Sequence, residues 1–106
     1  MSEGPTYQLG MFTKHVGQKF QLRLESTVRS LELIEAVGSS GQLGDNSRSF
    51  TLLFRDPESS VDSHLVQSTY RLDHESLGEL QLFLVPVGPG SEEQGIDYEA
   101  VFAAPN

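Results

Sequence analysis

The chain has no cysteine in its 106 residues, which excludes disulfides, thiolate metal sites and cysteine nucleophiles together. Packing and hydrogen bonding must supply whatever stability it has. Long apolar runs are also missing: nothing approaches the roughly 18 to 20 consecutive residues that a membrane helix needs, and the apolar share is 37%. The opening MSEGPTYQLG has neither a basic region nor an apolar stretch of the secretory kind. The expectation is cytoplasmic synthesis without a visible signal peptide, no membrane insertion, and room for later release or a surface location with an assembly.

Positive charge is scarce as well, and the net charge is −8. Up to Leu53, five basic residues (Lys14, Lys19, Arg23, Arg29, Arg48) balance five acids, whereas beyond it Arg55 and Arg71 stand against ten acids. Nucleic-acid binding draws on a basic patch that releases counterions, so an acidic chain disfavours nucleic acid as a partner. The ordinary role of such acids is solubility.

What is present is alternation. Between Thr69 and Val87, TYRLDHESLGELQLFLVPV, apolar residues recur at every second position on either side of a break from His74 to Gly78. Period two denotes strands, and Gly78 suits a left-handed position closing the turn between them. If both strands face one core, Leu72 must oppose Leu80 or Leu82 and never Gln81. Pro86 marks where the second strand leaves regular pairing.

The rest of the chain repeats the pattern. Phe20, Leu22 and Leu24 define one strand, and Phe50, Leu52 and Phe54 another, stopped by Asp56 and Pro57; Tyr98, Ala100 and Phe102 define the last. In SLELIEAVG, Leu31 and Leu33 share one face while Ile34 and Ala36 share the other, a phase change that denotes either a β-bulge or a strand covered on both faces. Residues 38–49, 58–63 and 88–95 read as surface loops, and His64 to Val66 either begin a strand or lead into one. Leu9, Phe12 and Val16 are spaced for one side of a short helix that Gly17 ends and that plugs one end of the fold. Residues 1–8 are expected to form an arm. With six strands and no βαβ unit, the expected fold is all-β: a small antiparallel β-barrel or sandwich with one short N-terminal helix, formed by residues 1–106 as one domain.

No motif for catalysis or cofactor binding is recognised. Among His15, His64 and His74 no metal-ligand spacing occurs, and Asp73, His74 and Glu75 point apart as successive residues. The paired His-x-His of cupins is absent, as is a Gly-x-Ser-x-Gly elbow. The acid pairs Asp73 with Glu75 and Glu92 with Glu93 are expected in water-facing turns with ordinary pKa values. Neither glycine loop carries the Lys-Ser/Thr ending of a phosphate cradle. Catalytic, cofactor and metal sites are therefore expected to be absent.

Together VGQKF, FTLLFRDP, STYRLDHESLGELQLFLVPVG and YEAVF, spread over Leu9 to Phe102, resemble a family of about hundred-residue bacterial all-β proteins of unknown function. Glu75-Ser76 departs from the family's usual His-Pro before x-Leu-Gly, and the acidic segment from Glu58 to Ser63 is longer. Genes of that family often lie near those of phage-tail-collar-like proteins, so the resemblance implies a non-enzymatic structural or interaction module, a self-assembling subunit or accessory of a phage-tail-like fibre or surface assembly. The arm ending at Tyr7 and an uncapped strand edge offer strand addition as a route to self-association. Tyr7, Arg71, Phe83 and Tyr98 are the candidate interface residues, with Arg71 open to being a surface ion-pair partner or an ordinary exposed strand arginine instead. The alternative is a small-ligand-binding barrel with Tyr70, Tyr98 or His74 as polar handles.

Overall fold

The computed structural model describes residues 7–38, 49–60, 63–89 and 95–102. Its elements are α1 (Gly10–Thr13), β1 (Lys19–Arg23), β2 (Val28–Gly38), β3 (Phe50–Asp56), β4 (Ser68–His74), β5 (Gly78–Pro89) and β6 (Ile96–Phe102). They close into an antiparallel barrel in the order β1-β2-β3-β6-β5-β4. Of the two architectures open from the sequence, the barrel is the one that forms.

Alternation places the core. β1 and β3 bury every second residue, and the β4–β5 hairpin sets Leu72 opposite Leu80, the even sum that a shared core requires. Gly78 has φ +77, a left-handed value that only glycine adopts without strain. The phase change in β2 is a bulge: pairing with β3 slips between Leu33 and Glu35, so that Leu31 and Leu33 point inward before it and Ala36 packs against the core after it. A second slip, between Pro86 and Gly88, lies where proline has no N–H to give the ladder, yet β5 resumes and runs on to Pro89.

The expected helix is shorter than its spacing suggested. Leu9 and Phe12 are buried, but Val16 is 45% exposed. The helix ends at Thr13, and Gly17 at φ +92 then swings the chain toward β1, its N–H donating to the Leu33 carbonyl while Leu33 N–H donates to Gln18. That double tie to β2 carries Val16 off the helix face. Phe12 meets Phe50 and Phe102 at 5.8 and 6.3 Å between ring centres and covers that end of the core.

Closure overturns one expectation. Every strand of the barrel has two hydrogen-bonded neighbours, so the uncapped edge foreseen for strand addition does not form. Residues 1–6 of the foreseen arm lie outside the described residues; Tyr7 is half-buried, edge-on to Phe12 and Phe102, and its hydroxyl accepts Gln81 N–H at 3.1 Å. That contact falls where β5 and β6 part company, since their ladder covers only Val85–Pro89 against Ile96–Glu99. Of the expected loops, residues 39–48, 61–62 and 90–94 lie outside the described residues, and with them the Glu92 and Glu93 pair. The segment 64–67 leads into β4 without pairing.

Candidate functional site

Polar side chains collect at both ends of the barrel. At the end where α1 lies, His74 closes β4 and is 5% exposed. Its Nδ1 accepts the N–H groups of Ser76 and Leu77 at 3.0 and 3.2 Å. An accepting Nδ1 carries no proton, so the neutral ring is protonated on Nε2, and that N–H donates to Gln18 Oε1 at 2.8 Å. Gln18 Oε1 also lies 2.9 Å from His15 Nδ1, which must then be the donor. The two imidazole rings are 4.4 Å apart, and Phe20 covers His74 at 4.5 Å. Burial first, and the neighbouring His15 second, hold the His74 pKa below the ordinary imidazole value.

This pair has the look of a metal site without the chemistry of one. With its proton on Nε2 and its Nδ1 lone pair engaged by the turn, His74 presents no free lone pair to an ion. Among the described residues no group of three or more His, Asp and Glu converges on one point. His64 stays apart, exposed, with Nδ1 3.2 Å from the Ser60 carbonyl. An open recess of about 470 Å³ adjoins the pair, lined by Gln18, Lys19, Gln21, Asp73 and Glu75.

Asp73 requires a correction. It sits in β4, not in a turn, and accepts Arg23 Nε at 2.6 Å and Arg71 Nε at 3.3 Å. The Arg23 hydrogen bond, with help from Arg71, lowers its pKa below the ordinary carboxylate value against an opposing desolvation. Arg71, half-exposed, pairs with Asp73 at 3.3 Å and reaches Glu79 at 3.8 Å.

The other end holds a network that pattern reading missed. Asp56 is fully buried, taking Arg29 Nη2 at 2.8 Å, the Ser59 hydroxyl at 2.8 Å and Glu58 N–H at 2.9 Å. Ser59, expected in a surface loop, is buried with it. The signal was local: aspartate followed by proline and a serine at the third place is the composition of a turn capped by its first side chain. Tyr98 is a second correction. It is 0% exposed, with its hydroxyl 2.9 Å from Ser59 Oγ and accepting Leu65 N–H at 2.8 Å, so it belongs to the core and not to an interface. Alternation placed Tyr98 in the last strand but could not tell which end of the ring meets polar partners.

The outer wall is where Phe83 stands, 51% exposed. Pairing sets Thr69 beside Phe83, Thr51 beside Val101, and Val37 beside Thr51. Phe83 and Val101 both lie beyond the last β5–β6 pair, Val85 with Glu99, on opposite sides of the seam where the two strands part. Thr69 with Phe83, and Val101 with Thr51 and Val37, thus form two uncharged runs on the outer wall, with Val101 62% and Val37 45% exposed.

Fold and sites together define a small closed β-barrel with a filled interior and polar networks at its ends. The chain belongs to the family described as Domain of unknown function (DUF6916), whose model matches residues 7–102. No curated protein and no solved structure matches it.

Proposed function

We propose that the protein is a non-enzymatic interaction module that self-associates through its barrel wall, as a structural subunit or accessory of a phage-tail-like fibre or surface assembly. The observation that carries this reading is the exposure of Phe83, Val101 and Val37 on the outer wall of the barrel. Exposed aromatic and β-branched side chains are what contacts between copies bury. The partner is protein, a second copy first of all, and not nucleic acid. On this reading the contact lies on the wall and not at a strand edge, since each strand of the barrel already has two neighbours. The resemblance to a family encoded near phage-tail-collar-like proteins supports the kind of assembly.

A ligand inside the barrel is disfavoured, because Phe20, Phe50, Phe54 and Tyr98, together with inward leucines, fill the interior. The recess beside Gln18 opens outward and is polar.

Size-exclusion chromatography with light scattering over a concentration series tests the proposal. Mass should rise with concentration for the natural chain, and Phe83→Glu combined with Val101→Glu should hold it monomeric. A natural chain that stays strictly monomeric, and shows no ring or filament by electron microscopy, ends this reading.

A further inference from the structure

His74 is the one histidine among the described residues whose two ring nitrogens are both engaged, and the two engagements oppose each other chemically. Nε2 donates across to Gln18, on the loop entering β1, whereas Nδ1 accepts from the turn that joins β4 to β5. Adding a proton leaves the first bond intact. It destroys the second, because the new Nδ1–H then points at two backbone N–H groups and three donors meet with no acceptor between them. The ring cannot escape by rotating: Phe20 lies 4.5 Å from it and His15 4.4 Å, and a flip would forfeit Gln18. The turn is the part that must give way.

We propose that His74 is a proton-operated latch on this corner of the barrel, clasping the turn Glu75–Leu77 when neutral and releasing it when protonated. Release has a defined consequence. Leu77, which packs partly buried against the core, comes free with the turn and bares an apolar side chain at this corner of the barrel. The inference stands whether or not the barrel self-associates.

Charged and titratable neighbours face His74 from each element around it. His15, from the loop after α1, disfavours a second positive charge, and Lys19, at the start of β1, lines the same recess. Glu75, on the turn itself, favours the charge. Asp73, its neighbour on β4, is engaged by Arg23 and Arg71. With burial first and His15 second opposing the charge, release waits for a pH below the ordinary imidazole midpoint of about 6.5.

Nuclear magnetic resonance of the labelled full chain, followed from about pH 8 to about pH 4.5, tests the latch across the imidazole range. At neutral pH the His74 ring should report the Nε2–H tautomer. The amides of Ser76 and Leu77 should then shift with the same midpoint as the ring, and their protection from hydrogen exchange should fall at least about tenfold through it. His15→Gln should raise that midpoint by removing a like charge. In His74→Asn the side-chain oxygen takes the place of Nδ1 but cannot titrate, so both amides should stay protected throughout. Amides indifferent to the ring's titration, an Nδ1–H tautomer at neutral pH, or the same loss of protection in His74→Asn would each overturn the proposal. If the asparagine variant fails to fold, the titration of the natural chain decides alone.

Discussion

The hydroxyl of Tyr98, in β6, stands 2.9 Å from the Ser59 hydroxyl, and the direction of that bond is settled by what lies on either side. Ser59 spends its own proton on Asp56, so Tyr98 must donate to Ser59 and accept from Leu65 N–H. The result is a one-way chain of bonds from the segment before β4, through the core aromatic, to a carboxylate that also holds Arg29. It ties the segment between β3 and β4 to the barrel.

Tyr98→Phe removes the middle of that chain without changing the ring that fills the core. Leu65 N–H loses its acceptor and the Ser59 oxygen one of its donors. Stability should fall by about 1–3 kcal/mol, the cost of polar groups left unsatisfied out of water, as read from urea unfolding, with residues 63–66 the first to lose exchange protection. An unfolding midpoint equal to that of the natural chain would show that water substitutes for the hydroxyl.

Gly95 precedes β6 with φ +79, and a Cβ there would run into the Asp56 carbonyl oxygen and the Pro57 backbone. Gly95→Ala therefore combines a left-handed alanine with a backbone clash that no rotamer relieves. A loss of at least about 1–3 kcal/mol is expected from the conformational part alone. Gly17→Ala is the control: it has the same sign of φ and open space around the added carbon, so it should cost less. Equal losses would mean that the clash is absorbed by movement of the β3 end.

Asp73 gives the fold an acid limb. Its folded pKa lies below the unfolded value because Arg23 and, less strongly, Arg71 hold the carboxylate charged. The stabilisation is thus fully present above the unfolded value of about 3.9 and is lost as pH falls through the lower folded value. The dependence of the urea midpoint on pH below about 4 should flatten in Asp73→Asn relative to the natural chain. An unchanged acid limb in the variant would place its origin in other carboxylates.

Much of the barrel was legible because a strand's side chains alternate by geometry, so Leu72, Leu80, Phe50, Phe54 and Ala100 announced both their strands and their inward face. Leu31, Leu33 and Ala36 even announced the fault in β2, although only pairing with β3 showed that it was a bulge. Tyr7, Arg71 and Phe83 were singled out for an interface, but local pattern says nothing of the partner a side chain meets across the fold. Tyr7 turned out to fill the seam where β5 and β6 part, and Arg71 to answer Asp73.

By itself the order of residues determined the all-β class, the six strands, the hairpin turn at Gly78 and the absence of thiol chemistry, all of which follow from steric and polar rules acting within a few neighbours. Tertiary structure alone decided that the sheet closes, that Gln18 meets His74 across 56 positions and that Tyr98 meets Ser59 across 39. The physical reason is that closure depends on strand tilt and on register summed around the whole barrel, and no single segment carries that sum.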